Sequence, residues 1–128
     1  MRPLLTVLFI LLAFPLHAQW SWKNPLPQGS HLNGVWFVDN STGWTVGNSG
    51  RIMFTTDGGT SWSFQTSGTL NALYGIWFSN STVGTVVGKG GTILRTTNAG
   101  STWTAQTSGV TNHLYEVSFA TLDSGFAV

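Results

Sequence analysis

Cysteine is absent from this chain of 128 residues, and its absence removes several kinds of structure at once. No disulfide and no thiolate-bound metal can form, and no lipid can be attached through a cysteine. The fold must therefore be held together by core packing. Packing alone is sufficient for a large repeat domain but not for one small isolated repeat unit.

Charged residues are also scarce, since the chain has five Lys and Arg and four Asp and Glu. After residue 18 the two signs balance, with Lys23, Arg51, Lys89 and Arg95 against Asp39, Asp57, Glu116 and Asp123. Nucleic acids and anionic membrane surfaces are bound through clusters of Lys and Arg, and the sequence has no such cluster. No nucleic-acid partner is therefore expected.

Only one long hydrophobic run occurs, and it lies at the N-terminus. Arg2 precedes the apolar stretch from Leu4 to Leu12, and Ala18 ends a segment typical of a cleavage site. We predict a secretory signal peptide at residues 1–18, because the run is well short of the ~20 residues needed to span a bilayer. The chain is then exported to an extracellular, cell-surface or periplasmic location, without membrane insertion after cleavage. An uncleaved anchor is the alternative.

The rest of the chain repeats with a period of 41 residues and without a gap. Leu32, Leu73 and Leu114 begin successive copies, and nearly half of the positions in the first two copies are identical. A period near 40 residues with turn glycines and short apolar runs is typical of a β-propeller blade. Because the third copy stops in mid-strand at Val128, we expect this chain to be the N-terminal part of a longer propeller.

Each copy contains four short apolar runs that alternate as strands do and are separated by turn residues. In the first copy these runs are Leu32 to Phe37, Trp44 to Val46, Ile52 to Phe54 and Trp62 to Phe64. The predicted fold is all-β, a propeller fragment with two complete four-stranded blades, a partial third blade and no helix. The expected domains are the signal peptide at 1–18, a lone N-terminal strand at 19–31 that completes the last blade, blade 1 at 32–72, blade 2 at 73–113 and a truncated third blade at 114–128.

The third turn of each copy carries the most specific motif. Its residues are Thr55, Asp57, Gly59 and Trp62 in the first copy and Thr96, Asn98, Gly100 and Trp103 in the second. An Asp or Asn at the head of a tight turn accepts hydrogen bonds from the turn's own backbone, and a Gly permits a positive φ. The first copy resembles the Asp-box hairpin, also called the BNR repeat, of sialidase-type propellers. The Asn of the second copy preserves the structural role.

The full pattern contains the elements Leu-x-x-Val-x-Phe, Gly-x-x-Val-Gly-x-x-Gly-x-Ile and Thr-x-Asp-Gly-Gly-x-x-Trp. It resembles the propeller repeats of the photosystem II assembly and stability factor family and of similar secreted bacterial proteins, over residues 20 to 128. The resemblance implies a seven-bladed propeller that serves as a binding scaffold. It also implies that the Asp-box turns lie at the blade periphery, away from the catalytic pocket of the related sialidases.

Few residues are placed to perform chemistry. A glycosidase needs two carboxyl groups that flank the scissile bond, and a sialidase also needs an arginine cluster. Arg51 and Arg95 do not occupy equivalent positions in the repeat, and Glu116 is the acid that a predicted innermost strand could present to a central channel. Trp44 is the best candidate for a solvent-facing ring, because the second copy has Thr85 in its place. We predict no catalytic residue and keep Trp44, Arg51, Arg95 and Glu116 as candidates for a ligand surface.

No metal or cofactor site is expected. His31 and His113 precede the first strands of their copies at equivalent positions, but no other His or Cys follows residue 18. A zinc site needs at least three protein ligands, which this chain cannot assemble from His and Cys.

The sequence favours an exported scaffold that binds a protein or carbohydrate ligand without catalysis, with the remaining blades of its own chain as structural partners. The alternative is the N-terminal part of a sialidase-like or other carbohydrate-active hydrolase whose catalytic residues lie in the missing blades. A photosynthetic assembly factor is a third hypothesis.

Overall fold

The computed structural model describes residues 29–128, and within that range it confirms the all-β prediction. The strands are β1 (Leu32–Phe37), β2 (Gly43–Gly47), β3 (Ile52–Thr55), β4 (Ser63–Gln65), β5 (Leu73–Phe78), β6 (Gly84–Gly88), β7 (Ile93–Thr96), β8 (Thr104–Gln106), β9 (Val117–Phe119) and β10 (Gly125–Ala127). Two short 3-10 turns, Asn48–Gly50 and Lys89–Gly91, are the helical segments of this range. The predicted signal peptide at 1–18 and most of the predicted strand at 19–31 lie outside the described residues.

The strands form two four-stranded antiparallel sheets and one two-stranded sheet. Each sheet follows chain order, with β1 to β4 in the first sheet, β5 to β8 in the second, and β9 paired with β10 in the third. The part of the chain that the structure describes contains no helix with the length and apolar character needed to cross a membrane.

The fourth strand of the first sheet begins at Ser63, one residue later than the sequence pattern predicts. Trp62 belongs to the preceding turn, because its indole Nε1 donates a hydrogen bond to Gly59 O at 3.1 Å. Its ring also meets the edge of the Phe37 ring, with 6.2 Å between centroids. Trp62 therefore covers the turn from outside the strand ladder.

The core lies between successive sheets. The interface between the first and second sheets is formed by buried apolar side chains of both, namely Trp44, Val46, Ile52, Leu73, Ile76, Phe78, Val86 and Leu94. A smaller cluster of Val87, Leu114 and Val117 joins the second sheet to the third. Val46 and Val87 are one period apart and lie in successive interfaces. The sequence repeat is therefore also a repeat of packing.

Trp44 is a core residue, and the prediction that its ring faces solvent is wrong. The side chain is fully buried, and its ring stacks on Phe78 of the second sheet with 3.7 Å between centroids and 13° between planes. The indole Nε1 donates to Ala99 O at 3.2 Å. Thr85, the equivalent residue of the second copy, is buried as well. The difference between Trp44 and Thr85 therefore reflects two interfaces that are filled differently, and neither residue faces solvent.

The innermost strands of successive sheets approach each other closely. A Cβ atom at Gly34 of β1 would lie 2.8 Å from Tyr74 O of β5. At Gly75, one period later, it would lie 2.9 Å from Tyr115 O. Real Cβ atoms do not come this close to a carbonyl oxygen, so both positions require Gly.

Gln65 of β4 ties the outer edge of the first sheet to the second sheet. Its side-chain Nε2 donates to Ala99 O at 2.9 Å, and its Oε1 accepts a hydrogen bond from Trp103 Nε1 at 3.1 Å. Gln106 has the equivalent position in the second sheet, but it is exposed and donates only to carbonyl groups of its own strand. The same residue type therefore bridges two sheets in one copy and bonds locally in the other.

One face of the first sheet is uncovered by the described residues. Val35 is 62% exposed and Phe37 is 40% exposed, whereas their counterparts Ile76 and Phe78 are 5% and 2% exposed against the first sheet. The open face thus has the apolar composition of an interface between sheets.

Replacement of Gln65 by Ala should destabilise the chain by about 1–3 kcal/mol, because the partly buried Trp103 N–H and Ala99 carbonyl lose a hydrogen-bond partner. Gln106→Ala is the matched control and should change the free energy of unfolding by less than about 0.5 kcal/mol. Urea unfolding of the full chain, followed by tryptophan fluorescence, measures both values. Equal effects of the two substitutions would contradict a role for Gln65 in the interface.

Candidate functional site

The turn at Asp57 is held together by its own side chains. The Asp57 carboxylate accepts hydrogen bonds from the Ser61 N–H at 2.8 Å, from the Ser61 hydroxyl, and from the Thr55 hydroxyl at 2.8 Å. Thr55 Oγ1 in turn accepts the Gly59 N–H at 3.0 Å, and Gly59 has a φ of 84°. The carboxylate is therefore occupied by groups of its own turn.

The turn at Asn98 makes the same connections with an amide. Asn98 Oδ1 accepts the Thr102 N–H at 2.9 Å and the Thr96 hydroxyl at 2.9 Å, while Nδ2 donates to the Thr102 hydroxyl at 2.9 Å. Thr96 Oγ1 accepts the Gly100 N–H at 2.9 Å. The two copies thus place the same motif in equivalent turns. Of the two motif tryptophans, Trp103 bonds the neighbouring sheet through Gln65, whereas Trp62 bonds its own turn.

A second pair of equivalent positions lies in the turns after the innermost strands. Asp39 Oδ1 accepts the N–H groups of Ser41 and Thr42, each at 2.7 Å. Asn80, one period later, accepts the two equivalent N–H groups, each at 2.8 Å. At both kinds of turn the first copy therefore has Asp where the second has Asn.

Hydrogen bonds to the turns lower the pKa of both acids. The Ser61 hydroxyl, followed by the Ser61 N–H, lowers the pKa of Asp57 from 3.8 to about 2. The Ser41 N–H makes the largest contribution to lowering the pKa of Asp39. A general acid at neutral pH needs a raised pKa, so the environment of these two carboxylates favours the opposite protonation state.

Arg51 and Arg95 lie against aromatic rings. The Arg51 guanidinium is 5.4 Å from the centre of the Phe64 ring, within the first sheet. The Arg95 guanidinium is 5.8 Å from the centre of the Phe119 ring, and its Nη2 donates to Leu122 O at 3.2 Å. Arg95 therefore connects the second sheet to the third. Each guanidinium contacts a different ring, and the two are not arranged as a pair.

Glu116 is exposed and lies immediately before β9, at the position that Gly34 and Gly75 have in the other copies. Glu116 is the fourth of the residues predicted for a ligand surface. The structure places the buried Trp44, the two half-buried arginines and the exposed Glu116 in separate environments. Residues 29–128 contain no group of three or more His, Cys, Asp and Glu side chains that could hold a metal ion.

Each complete sheet has a β-bulge at the start of its innermost strand. The register of β1 against β2 shifts between Leu32 and Gly34, which leaves Asn33 as the extra residue. The same shift in β5 leaves Tyr74 as the extra residue. A bulge changes the direction of the side chain that it carries. Asn33 Nδ2 accordingly donates to Leu73 O, at the start of the next innermost strand, at 2.9 Å.

Tyr74, Tyr115 and His113 form an aromatic cluster at this end of the innermost strands, called here the inner-end cluster. The two tyrosine rings stack with 5.0 Å between centroids and 23° between planes, and the His113 ring lies 6.1 Å from each. His113 Nδ1 accepts the Gly90 N–H at 3.2 Å. Tyr115 is 60% exposed and His113 is exposed, so the cluster presents aromatic surface to solvent.

Neither tyrosine of this cluster is among the ligand-surface residues predicted from the sequence. One signal was available, since Tyr74 and Tyr115 are one period apart and each follows the Leu that begins its copy. Their contact depends on two facts that the pattern does not contain, namely that the innermost strands are neighbours and that a bulge directs Tyr74 toward the next strand.

A groove of about 470 Å³ lies on the open face of the first sheet. Leu32, Val35, Phe37 and Trp62 are among its lining residues. Because Ile76 and Phe78, at equivalent positions of the second sheet, are buried against the first sheet, this groove is explained by the uncovered interface and not by a ligand site.

A family model described as "Photosynthesis system II assembly factor YCF48" matches residues 14–108, which is most of the chain. A comparison with curated proteins found no match.

Two solved structures are similar in fold. The structure described as "YCF48 bound to D1 peptide" has a TM-score of 0.72 and 23% sequence identity, and the match covers 82% of this chain and 35% of that chain. The structure of YCF48 from Cyanidioschyzon merolae has a TM-score of 0.67 and 18% identity, and the match covers 78% of this chain and 35% of that one. The chain thus spans about a third of either structure. These similarities confirm the prediction of a propeller fragment.

Acid should destabilise the chain through Asp57. The pKa of about 2 in the folded state lies below the ordinary value of 3.8. The stabilisation from Asp57 is therefore complete above about pH 5 and is lost as the pH falls toward about 2. Asp57→Asn, which copies the amide at Asn98, should remove this part of the acid sensitivity. Urea unfolding midpoints, measured at several pH values across this range, test the prediction.

The reverse exchange, Asn98→Asp, is the matched variant and should add acid sensitivity over the same pH range. An Asp57→Asn variant that lost stability as steeply as the wild type would show that the Ser61 hydrogen bonds are not a source of the acid sensitivity.

Proposed function

Because the chain belongs to the photosystem II assembly factor YCF48 repeat family, we propose that it is an exported, non-catalytic β-propeller scaffold that binds an extended segment of another protein. The chain supplies two four-stranded blades and the inner strand pair of a third. The ligand surface is proposed to lie at the inner-end cluster.

A structural neighbour supports a peptide as the ligand. That protein is described as YCF48 bound to D1 peptide, so a propeller of similar fold binds a peptide. The present chain covers 35% of it. The activity of the whole protein and the identity of the partner are therefore part of the proposal.

The inner-end cluster is the observation that carries the proposal. Tyr74, Tyr115 and His113 come from two successive sheets and expose aromatic surface that is not needed to bury the core. Exposed aromatic residues are enriched at surfaces that bind other proteins, because their rings contribute large contact area at low entropic cost.

A hydrolase has less support from residues 29–128. Asp39 and Asp57 accept hydrogen bonds within their own turns, and the bonds lower the pKa of both. Neither has the environment of a catalytic acid, for which burial or a like charge would raise the pKa.

Binding is tested with a random peptide library displayed on phage and the purified full chain as bait. We expect enrichment of related peptides, and a synthetic copy of the most enriched one should bind with a dissociation constant on the order of micromolar by calorimetry. A glycan array and a fluorogenic glycoside are the parallel arms. Glycan binding or glycoside cleavage without peptide enrichment would contradict the proposal.

Export is tested by the N-terminus of the secreted protein. Expression of the full chain in a bacterium with a general secretion system should release material whose intact mass corresponds to a start at or near Gln19, because Ala18 ends the predicted cleavage site. Full-length material retained in the membrane fraction would instead support an uncleaved anchor.

A further inference from the structure

The bulge position distinguishes the innermost strands of the two complete blades. Asn33 in β1 and Tyr74 in β5 differ in size and chemistry, whereas the Leu before and the Gly after them are identical. The backbone is also the same, since both strands shift register at this point. The repeat thus keeps the bulge and varies the side chain that the bulge presents.

The bulge side chains reach from one innermost strand to the next. Asn33 Nδ2 donates to Leu73 O at 2.9 Å and to Asn48 Oδ1 at 3.0 Å. The Tyr74 ring instead stacks on the Tyr115 ring, with 5.0 Å between centroids. Tyr115 has the same repeat position before β9 that Asn33 and Tyr74 have at the two bulges. The three residues, Asn33, Tyr74 and Tyr115, are called here the bulge row.

We propose that the bulge row determines which peptide the scaffold binds, and that its stacked tyrosines bind a proline or aromatic ring of that peptide. This inference rests on the proposed function, because it names the ligand side chain for the same surface. It assigns specificity to a position that differs between the two complete copies, Asn33 and Tyr74, while the Leu before it and the Gly after it are the same in both.

The chemistry of the row favours a ring over a charged side chain. Tyr115 is 60% exposed, and an exposed tyrosine face accepts a second ring by offset stacking or packs against proline. The nearby charges oppose each other, since Lys89 adjoins the Gly90 that bonds His113, and Glu116 adjoins Tyr115. Electrostatic selection of a single sign is therefore weak at this site.

The differences between the repeat copies suggest the variants to test. Tyr74→Asn introduces the residue that the first copy has at Asn33, where the same bulge accommodates it. Tyr115→Ala removes the exposed ring. Thr97→Ala is the control, because Thr97 is exposed in the turn after β7, at the opposite end of the blade from the bulge. Urea unfolding midpoints verify that each variant is folded.

The experiment repeats the phage selection with the full chain as wild type and as each variant. Wild type and Thr97→Ala should enrich peptides that share a proline or aromatic residue, and a synthetic copy of the best peptide should bind Tyr115→Ala about tenfold more weakly. Tyr74→Asn should shift the enriched sequences away from that residue. If Tyr115→Ala is unfolded, Tyr74→Asn alone decides.

The outcomes separate the two proposals. Enrichment of the same peptides by all four proteins would overturn the role of the bulge row and leave peptide binding intact. Enrichment of peptides that share Arg, Lys, Asp or Glu in place of a ring would overturn the proposed ligand side chain. If no protein enriched any peptide, the proposed function itself would fail, and the inference with it.

Discussion

The close approach of successive innermost strands is the constraint on which the rest of the structure depends. The innermost strands lie so close together that a side chain at Gly34 or Gly75 would not fit between them. Neighbouring blades therefore meet almost backbone to backbone at this point. Farther out, larger side chains fill the interface, with Trp44 on Phe78 in the middle and Gln65 on Trp103 at the outer edge. Small residues at the inner strands and large ones farther out let the blades widen outward from a common axis.

The same constraint explains where a ligand surface can form. Side chains between successive blades are buried by packing. The carboxylates of Asp39 and Asp57 accept hydrogen bonds from their own turns. The bulge before each glycine is an exception, since it turns one residue per copy out of the ladder without disturbing the close approach that follows. Variation at the bulge is therefore compatible with a fixed scaffold, and the exchange between Asn33 and Tyr74 is an example.

The strands and turns of this fold could be predicted from the sequence because their causes are local. Period-two alternation and the side chains of Asp57 and Asn98 act within a few residues of each turn. The burial of Trp44 could not be predicted in this way. Alternation assigns the ring to one face of a strand, but whether that face is covered depends on the next sheet, which contributes Phe78 and Ala99. The contact between Tyr74 and Tyr115 depends on strand register, which is likewise a property of two strands and not of one.

Ala99 shows how contacts between blades stabilise a backbone conformation that is unfavourable for a residue with a side chain. Its φ of 59° lies in the left-handed region, at the position where the first copy has Gly58 with a φ of 68°. A residue with a side chain pays about 1–2 kcal/mol for this conformation. The Ala99 carbonyl, however, accepts hydrogen bonds from both Trp44 Nε1 and Gln65 Nε2, and each such bond contributes about 1 kcal/mol. The two hydrogen bonds between blades are therefore of the same order as the cost of the left-handed backbone at Ala99. The turn keeps the left-handed backbone that Gly58 has in the first copy, and the neighbouring blade stabilises that backbone where the residue is alanine.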